Sequence, residues 1–167
     1  MKRSLNILHF SLYLIETKLH FLFNKINPAL LLFKLPSVKK RMKKNEGIEN
    51  PMEWYDNYWT DKKNGFGLWF IGGWLIGIVA LTFIGLGILT IKILSPELVL
   101  NKYYFISLGV ISFLICHLLV FKNDQYLKYF EEFKDWTEAE KRNNVLASVG
   151  FIFGVIALFF LSLLYFN

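Results

Sequence analysis

The chain has 167 residues, a length for one domain, with a net charge of +6 and 54% hydrophobic residues against 19% charged ones. The apolar excess gathers into long runs, which excludes an ordinary soluble core. The single cysteine, Cys116, excludes an intramolecular disulfide and any CxxC metal or redox motif. Basic charge set beside apolar runs, with no polar-faced recognition helix, argues against nucleic-acid binding and for anionic lipid headgroups.

Residues 1–41 open with Lys2 and Arg3 but do not read as a signal peptide. Asn6, His9 and Ser11 interrupt the apolar stretch, Glu16 and Lys18 stop it, and no small-residue cleavage site follows. No lipidation motif is present. Leu5, Leu8, Leu12, Ile15, Leu19, Leu22 and Ile26 recur three and four apart. That spacing predicts an amphipathic helix lying in the membrane interface or packed on the bundle, ended or kinked at Pro28. A fourth span is the alternative, opposed by Glu16 and Lys18 near its middle. Lys39, Lys40, Arg41, Lys43 and Lys44 then form a polybasic cluster. It reads as an anchor on anionic lipid, with a specific lipid or regulatory site as the sharper alternative. Met42 offers a second plausible start, which would make residues 1–41 an extension outside the expressed chain.

Residues 42–67 form an aromatic juxtamembrane segment. Pro51 suits a first helical turn, with Glu53 and Asp56 near its N-terminus. Trp54 and Tyr58, and Tyr55 and Trp59, are spaced to pair. Trp and Tyr concentrated before an apolar run read as an interfacial aromatic belt.

Residues 68–167 are predicted to form a three-span bundle. The spans are 68–91, 103–121 and 145–166, with no Asp, Glu, Lys or Arg. At 1.5 Å per residue they reach roughly 36, 28 and 33 Å, against a hydrocarbon core of about 30 Å. Only a helix satisfies such a backbone in lipid, so the fold class is all-α. Ser95, Pro96 and Glu97 read as the cap and first turn of the second helix, leaving almost no loop. Between spans two and three, residues 124–136 read as an amphipathic helix with Tyr126, Tyr129, Phe130, Phe133 and Trp136 on one face. Thr137 and Glu140 form a capping box for the next helix.

Small residues line each span: Gly73, Gly77, Ala80 and Gly87, with Gly72 and Gly85 nearby; Gly109, Ser112 and Cys116; Ala147, Gly150, Gly154 and Ala157. Such stripes let helix backbones approach, so Gly77→Leu or Gly154→Leu is expected to loosen the bundle. A homodimer through one leftover stripe is the alternative use.

Chemistry is sparse. His117 is the one ionisable side chain inside a span, with no His, Asp or Glu in any span to partner it. It reads as a neutral histidine bonded to a carbonyl or reaching water, and a proton relay or metal ligand is the sharper alternative. HExxH, P-loop and GxGxxG motifs are missing, and the three histidines lack metal-ligand spacing. No enzyme activity, cofactor or metal is expected.

Twelve basic residues lie in 1–67, two in 92–102 and five in 122–144. The positive-inside rule then places the N-terminus in the cytoplasm and the C-terminus outside, across an inner (cytoplasmic) membrane. Lys-, Asn-, Ile- and Phe-rich usage suggests a bacterial source. The expected function is non-enzymatic: an accessory subunit, assembly factor or immunity-type protein working through helix–helix contact. Its partners would be the bilayer and a membrane protein or a second copy. The alternative is a small transporter or channel subunit, with Ser107, Ser112, Cys116 and His117 lining a path. Trp54, Tyr58 and Trp59, with Tyr126, Phe130, Phe133 and Trp136, are the candidate interaction surface.

Overall fold

A computed structural model describes residues 1–95, 97 and 100–164. The protein is helical throughout, with no strand among the described residues. In chain order come α1 (Lys2–Asn24), a 3-10 turn (Pro28–Lys34), α2 (Pro36–Glu46), α3 (Pro51–Thr60) and α4 (Phe66–Leu94). Then follow α5 (Lys102–Cys116), a π turn (His117–Phe121), α6 (Gln125–Lys134) and α7 (Glu138–Leu164). Three helical runs are long and apolar enough to cross a membrane: Phe66–Leu94, Lys102–Lys134, whose apolar part is α5 with its π turn, and Glu138–Leu164. They match the three predicted spans. The predicted end of the third, and Asn167, lie outside the described residues, as does Pro96.

Local chemistry explains most of the boundaries. Asn50 caps α3 by accepting the Glu53 N–H, with Pro51 at the first helical position. The Thr137 hydroxyl accepts the Glu140 N–H, and the Glu140 carboxylate accepts the Thr137 N–H, so the predicted capping box starts α7. The predicted start of the second helix is corrected. Ser95 closes α4, its N–H donating to the Ile91 carbonyl at 2.7 Å. The cap of α5 is Asn101, whose side chain accepts from the N–H groups of Tyr103 and Tyr104 at 3.0 and 3.2 Å. A carboxamide with two N–H groups in reach makes the better cap.

The second span does not run straight into the loop helix. At its end the Lys122 N–H reaches back five residues to the His117 carbonyl, the signature of a π turn. Asn123 and Asp124 follow with φ of 57° and 53°. Two consecutive left-handed residues reverse the chain, and Asn and Asp tolerate that region best among residues with a Cβ.

The chain divides into two compact units: Met1–Leu12 with Gly72–Asn167, and Tyr13–Ile71. The first unit holds the bulk of the three spans, α6 and the start of α1. Its helices meet at Gly87, one member of the first expected stripe, and at the neighbouring Gly72 and Gly85. A Cβ on Gly85 would lie 3.3 Å from Leu158, one on Gly72 would lie 3.3 Å from Phe121, and one on Gly87 would collide with the Tyr104 hydroxyl. Around Gly73, Gly77, Gly109, Gly150 and Gly154 the equivalent space is open. At those five glycines no neighbouring helix approaches among the described residues, whereas Ser112 and Cys116, on the same stripe as Gly109, are buried. On α7, Ala147, Gly150, Gly154 and Ala157 are all exposed, while Ser148, Val155 and Ser162 are buried.

The second unit holds the rest of α1, the 3-10 turn, α2, α3 and the start of α4. α2 carries the polybasic cluster, with Lys39, Lys40, Arg41, Lys43 and Lys44 all exposed. It ends on Gly47, whose φ of 69° suits the left-handed turn that closes a helix.

The leucine stripe of α1, expected to lie in the membrane interface or against the bundle, divides along the helix. Leu8 is buried, whereas Leu19 and Leu22 are exposed and Ile26, just past the helix end, is 73% exposed. Asn6, Leu8, His9, Phe10, Ser11, Tyr13 and His20 are buried, and Glu16 and Asn24 are half-buried. Among them Asn6, His9, Tyr13, Glu16, His20 and Asn24 follow helical spacing as regularly as the leucines do.

Candidate functional site

Two polar-aromatic clusters are built on the inward face of α1, one in each unit. In the first, His9 is completely buried against three rings: Phe121 at 5.6 Å, Tyr126 at 5.5 Å and Phe130 at 5.2 Å between centroids. Phe10 adds contacts to Phe130, Phe133 and Trp136 at 5.1, 5.6 and 5.9 Å. Neither ring nitrogen of His9 has a hydrogen-bond partner, nor do Asn6 Oδ1 and Ser11 Oγ. With no group to stabilise a charge, burial pushes the His9 imidazole down to about 3. It is therefore a neutral ring at physiological pH.

One polar contact in this cluster explains the π turn's neighbour. Asn6 Nδ2 donates to the Leu119 carbonyl at 3.1 Å and to its own helix at Lys2 O. A π turn disturbs the regular ladder, and a side-chain amide beside it satisfies a carbonyl there. At the rim, Arg3 pairs with Glu132 at 2.8 Å and lies over the Phe133 ring at 5.9 Å. Both charges are largely exposed, so the pair contributes little to stability.

In the second unit His20 has the opposite surroundings. Its Nε2 lies 3.0 Å from Asp56 Oδ1, and Asn24 Nδ2 donates to that oxygen at 2.8 Å. Asn24 Nδ2 also lies 2.9 Å from His20 Nε2, so that nitrogen donates to Asp56 in one tautomer and accepts from Asn24 in the other. The ring stacks on Trp59 at 5.1 Å with 11° between planes, beside Tyr55 at 5.4 Å. Trp59 Nε1 donates to Glu16, and the Tyr13 hydroxyl donates to the Thr60 carbonyl at 2.9 Å. Burial holds the Tyr13 hydroxyl above the usual tyrosine range. The Asn64 and Lys63 N–H groups hold the Asp61 carboxyl below the carboxylate range at the turn after α3. These hydrogen bonds close on one another, so the cluster latches α1 to α3.

The predicted interaction surface is thus divided. Phe130 and Phe133 are fully buried and Tyr126 nearly so, because the start of α1 covers them; they present no face to a partner. Trp136 is half-buried in the same cluster. Trp59 is taken up by His20, Glu16 and Phe66. Trp54 and Tyr58 stay exposed, at 41% and 52%, and stack on each other at 5.7 Å. Tyr126–Trp136 and Trp54–Trp59 belong to different units.

His117 sits at the first position of the π turn, exposed, with its ring parallel to Phe113 at 6.0 Å. Ser112 and Cys116 are buried, and the Ser112 hydroxyl donates to Leu108 O on its own helix at 2.7 Å. Ser107 does the same to Tyr104 O. Among the described residues no three His, Cys, Asp or Glu side chains gather closely enough to hold a metal.

Sequence reasoning missed both clusters on α1. The signal was present in the series Asn6, His9, Tyr13, Glu16, His20, Asn24, polar or amphipathic residues spaced three and four apart. The chain matches no protein-family model, and no curated protein or solved structure shows significant similarity to it.

Proposed function

We propose that this protein is a non-enzymatic, multi-pass membrane protein that works by helix–helix contact with another membrane protein or a second copy of itself. An accessory subunit, an assembly factor and an immunity-type protein all act this way. The observation that carries the proposal is the open ridge on α7. Ala147, Gly150, Gly154 and Ala157 are exposed, and nothing lies within 4 Å of a Cβ at either glycine. In lipid, close backbone approach at small residues is a main source of helix association, and here the chain leaves that surface unused. The basic counts favour an N-terminus in the cytoplasm and a C-terminus outside an inner membrane.

A small transporter or channel subunit has less support. Ser107 and Ser112 direct their hydroxyls to their own helix, and Ser112 and Cys116 are buried, so the polar stripe offers no continuous lining.

Crosslinking with mass spectrometry in native membranes tests the proposal. Wild type should give crosslinks mapping to the α7 face, and Gly154→Leu should lose them without a change in its own thermal stability. A wild type that crosslinks to nothing, or a Gly154→Leu variant that keeps every crosslink, would overturn it.

A further inference from the structure

The outward face of α1 and the turn after it carry a run of exposed apolar side chains in the second unit. Leu19, Leu22, Phe23 and Ile26 are 43%, 56%, 56% and 73% exposed, and Leu31 and Leu32 on the 3-10 turn are each 57% exposed. A soluble protein does not leave so many large apolar side chains together in water. The inward side of the same helix is occupied by the Glu16, His20 and Asn24 network, so the exposure is not the result of a poorly packed helix.

Charge identifies what covers this face. From Lys18 to Lys44 the chain carries eight basic residues and no acidic one. Lys18, Lys25 and Lys34 are exposed and interleave with the apolar residues, and α2 adds five more exposed cations. The unit also runs directly into α4, whose first residues belong to it, so a bilayer lies at the end of its own chain. Apolar side chains rimmed by Lys and Arg, tethered to a span, match the headgroup–acyl boundary of an anionic membrane. An acidic apolar groove on a protein would satisfy the charge but needs a partner, whereas the bilayer is already present.

We infer that residues 18–44 dock the second unit on the anionic bilayer surface, with Leu19, Leu22, Phe23 and Ile26 inserted among the acyl chains and the lysines at the phosphates. The inference rests on the proposed membrane-embedded state and adds to it a lipid specificity for one face. The docked state depends on anionic lipid, each basic residue near the surface shifting the docked-to-undocked ratio about fivefold.

The test uses the full chain carrying Cys116→Ala, with Leu22→Cys bearing an environment-sensitive fluorophore, reconstituted in vesicles. One set is phosphatidylcholine alone; the other contains phosphatidylglycerol. A second protein carries the label at Phe153→Cys, an exposed position on α7. Quenching is read with spin-labelled lipid and with aqueous acrylamide. The expected result is a Leu22 label quenched by lipid in the anionic vesicles and by acrylamide in the neutral ones. Changing Lys18 and Lys25 to Gln should lower the docked ratio about fivefold for each charge. Acrylamide quenching in both vesicles, with the Phe153 label still lipid-quenched, would overturn the docking while leaving the membrane reading intact. A Leu22 label shielded from both quenchers would overturn it in favour of a protein cover. Lipid quenching independent of phosphatidylglycerol would overturn the anionic specificity. Acrylamide quenching at both positions would overturn the membrane reading itself.

Discussion

His9 and His20 lie on the same helix and the same face, yet their surroundings are opposite. His9 is enclosed by Phe121, Tyr126 and Phe130 with both nitrogens unpartnered. His20 stacks on Trp59 and shares the Asp56 carboxylate with Asn24. The first behaves as an aromatic filler that carries a polar penalty; the second is one member of a closed network. The contrast shows that α1 is held mainly by ring packing in one unit, and by a hydrogen-bonded network with one stacked ring in the other. The same kind of substitution should therefore give different results at the two ends.

The largest effect should come from removing both ends at once. A chain begun at Met42 lacks α1, leaving Phe130 and Phe133 uncovered and Asp56 without His20 and Asn24. It should fail to accumulate as a folded monomer, read by protease resistance in detergent; a stable protein of wild-type resistance would break the comparison outright. Next is Phe130→Ala, which empties the ring cluster and should cost about 3–5 kcal/mol in a denaturation series. Trp54→Ala, on an exposed ring, should fall well below that. Smaller again is Asp56→Ala, which takes away the carboxylate that His20 and Asn24 share and should cost about 1–3 kcal/mol. If Asp56→Ala proved neutral, the hydrogen-bonded half of the comparison would be wrong.

Much of the framework was legible in the sequence because it depends on local rules. The three spans follow from uninterrupted apolar runs, and the starts of α3 and α7 follow from Asn50–Pro51 and from Thr137 with Glu140. The inner face of α1 was not legible, for a physical reason. An apolar stripe marks the core only when water lies outside. Beside a membrane an exposed Leu22 or Ile26 carries no such penalty. Polar residues can then turn inward if partners await them: the Leu119 carbonyl for Asn6, and Asp56 for Asn24. Those partners lie more than thirty residues away in the chain, beyond any periodicity. The π turn at His117–Phe121 has no Pro or Gly to announce it. The glycines show the same limit. Spacing identifies a stripe but not which of its members meets a neighbour: in the first span the close approaches fall at Gly87 and the nearby Gly72 and Gly85, while Gly73 and Gly77 face open space.

The claim that α1 buries an unpartnered neutral imidazole is tested most directly by the pH dependence of stability in wild type and His9→Phe. An imidazole held near 3 in the folded state and near 6.5 in the unfolded state binds more protons when unfolded, so stability falls as pH drops below about 6.5. Between pH 7 and pH 5 wild type should lose about 2 kcal/mol more than His9→Phe. The variant should be at least as stable as wild type at pH 7, since it removes two unsatisfied polar atoms from among rings. A His9→Phe protein that is clearly destabilised at pH 7 and keeps the wild-type pH profile would contradict the account.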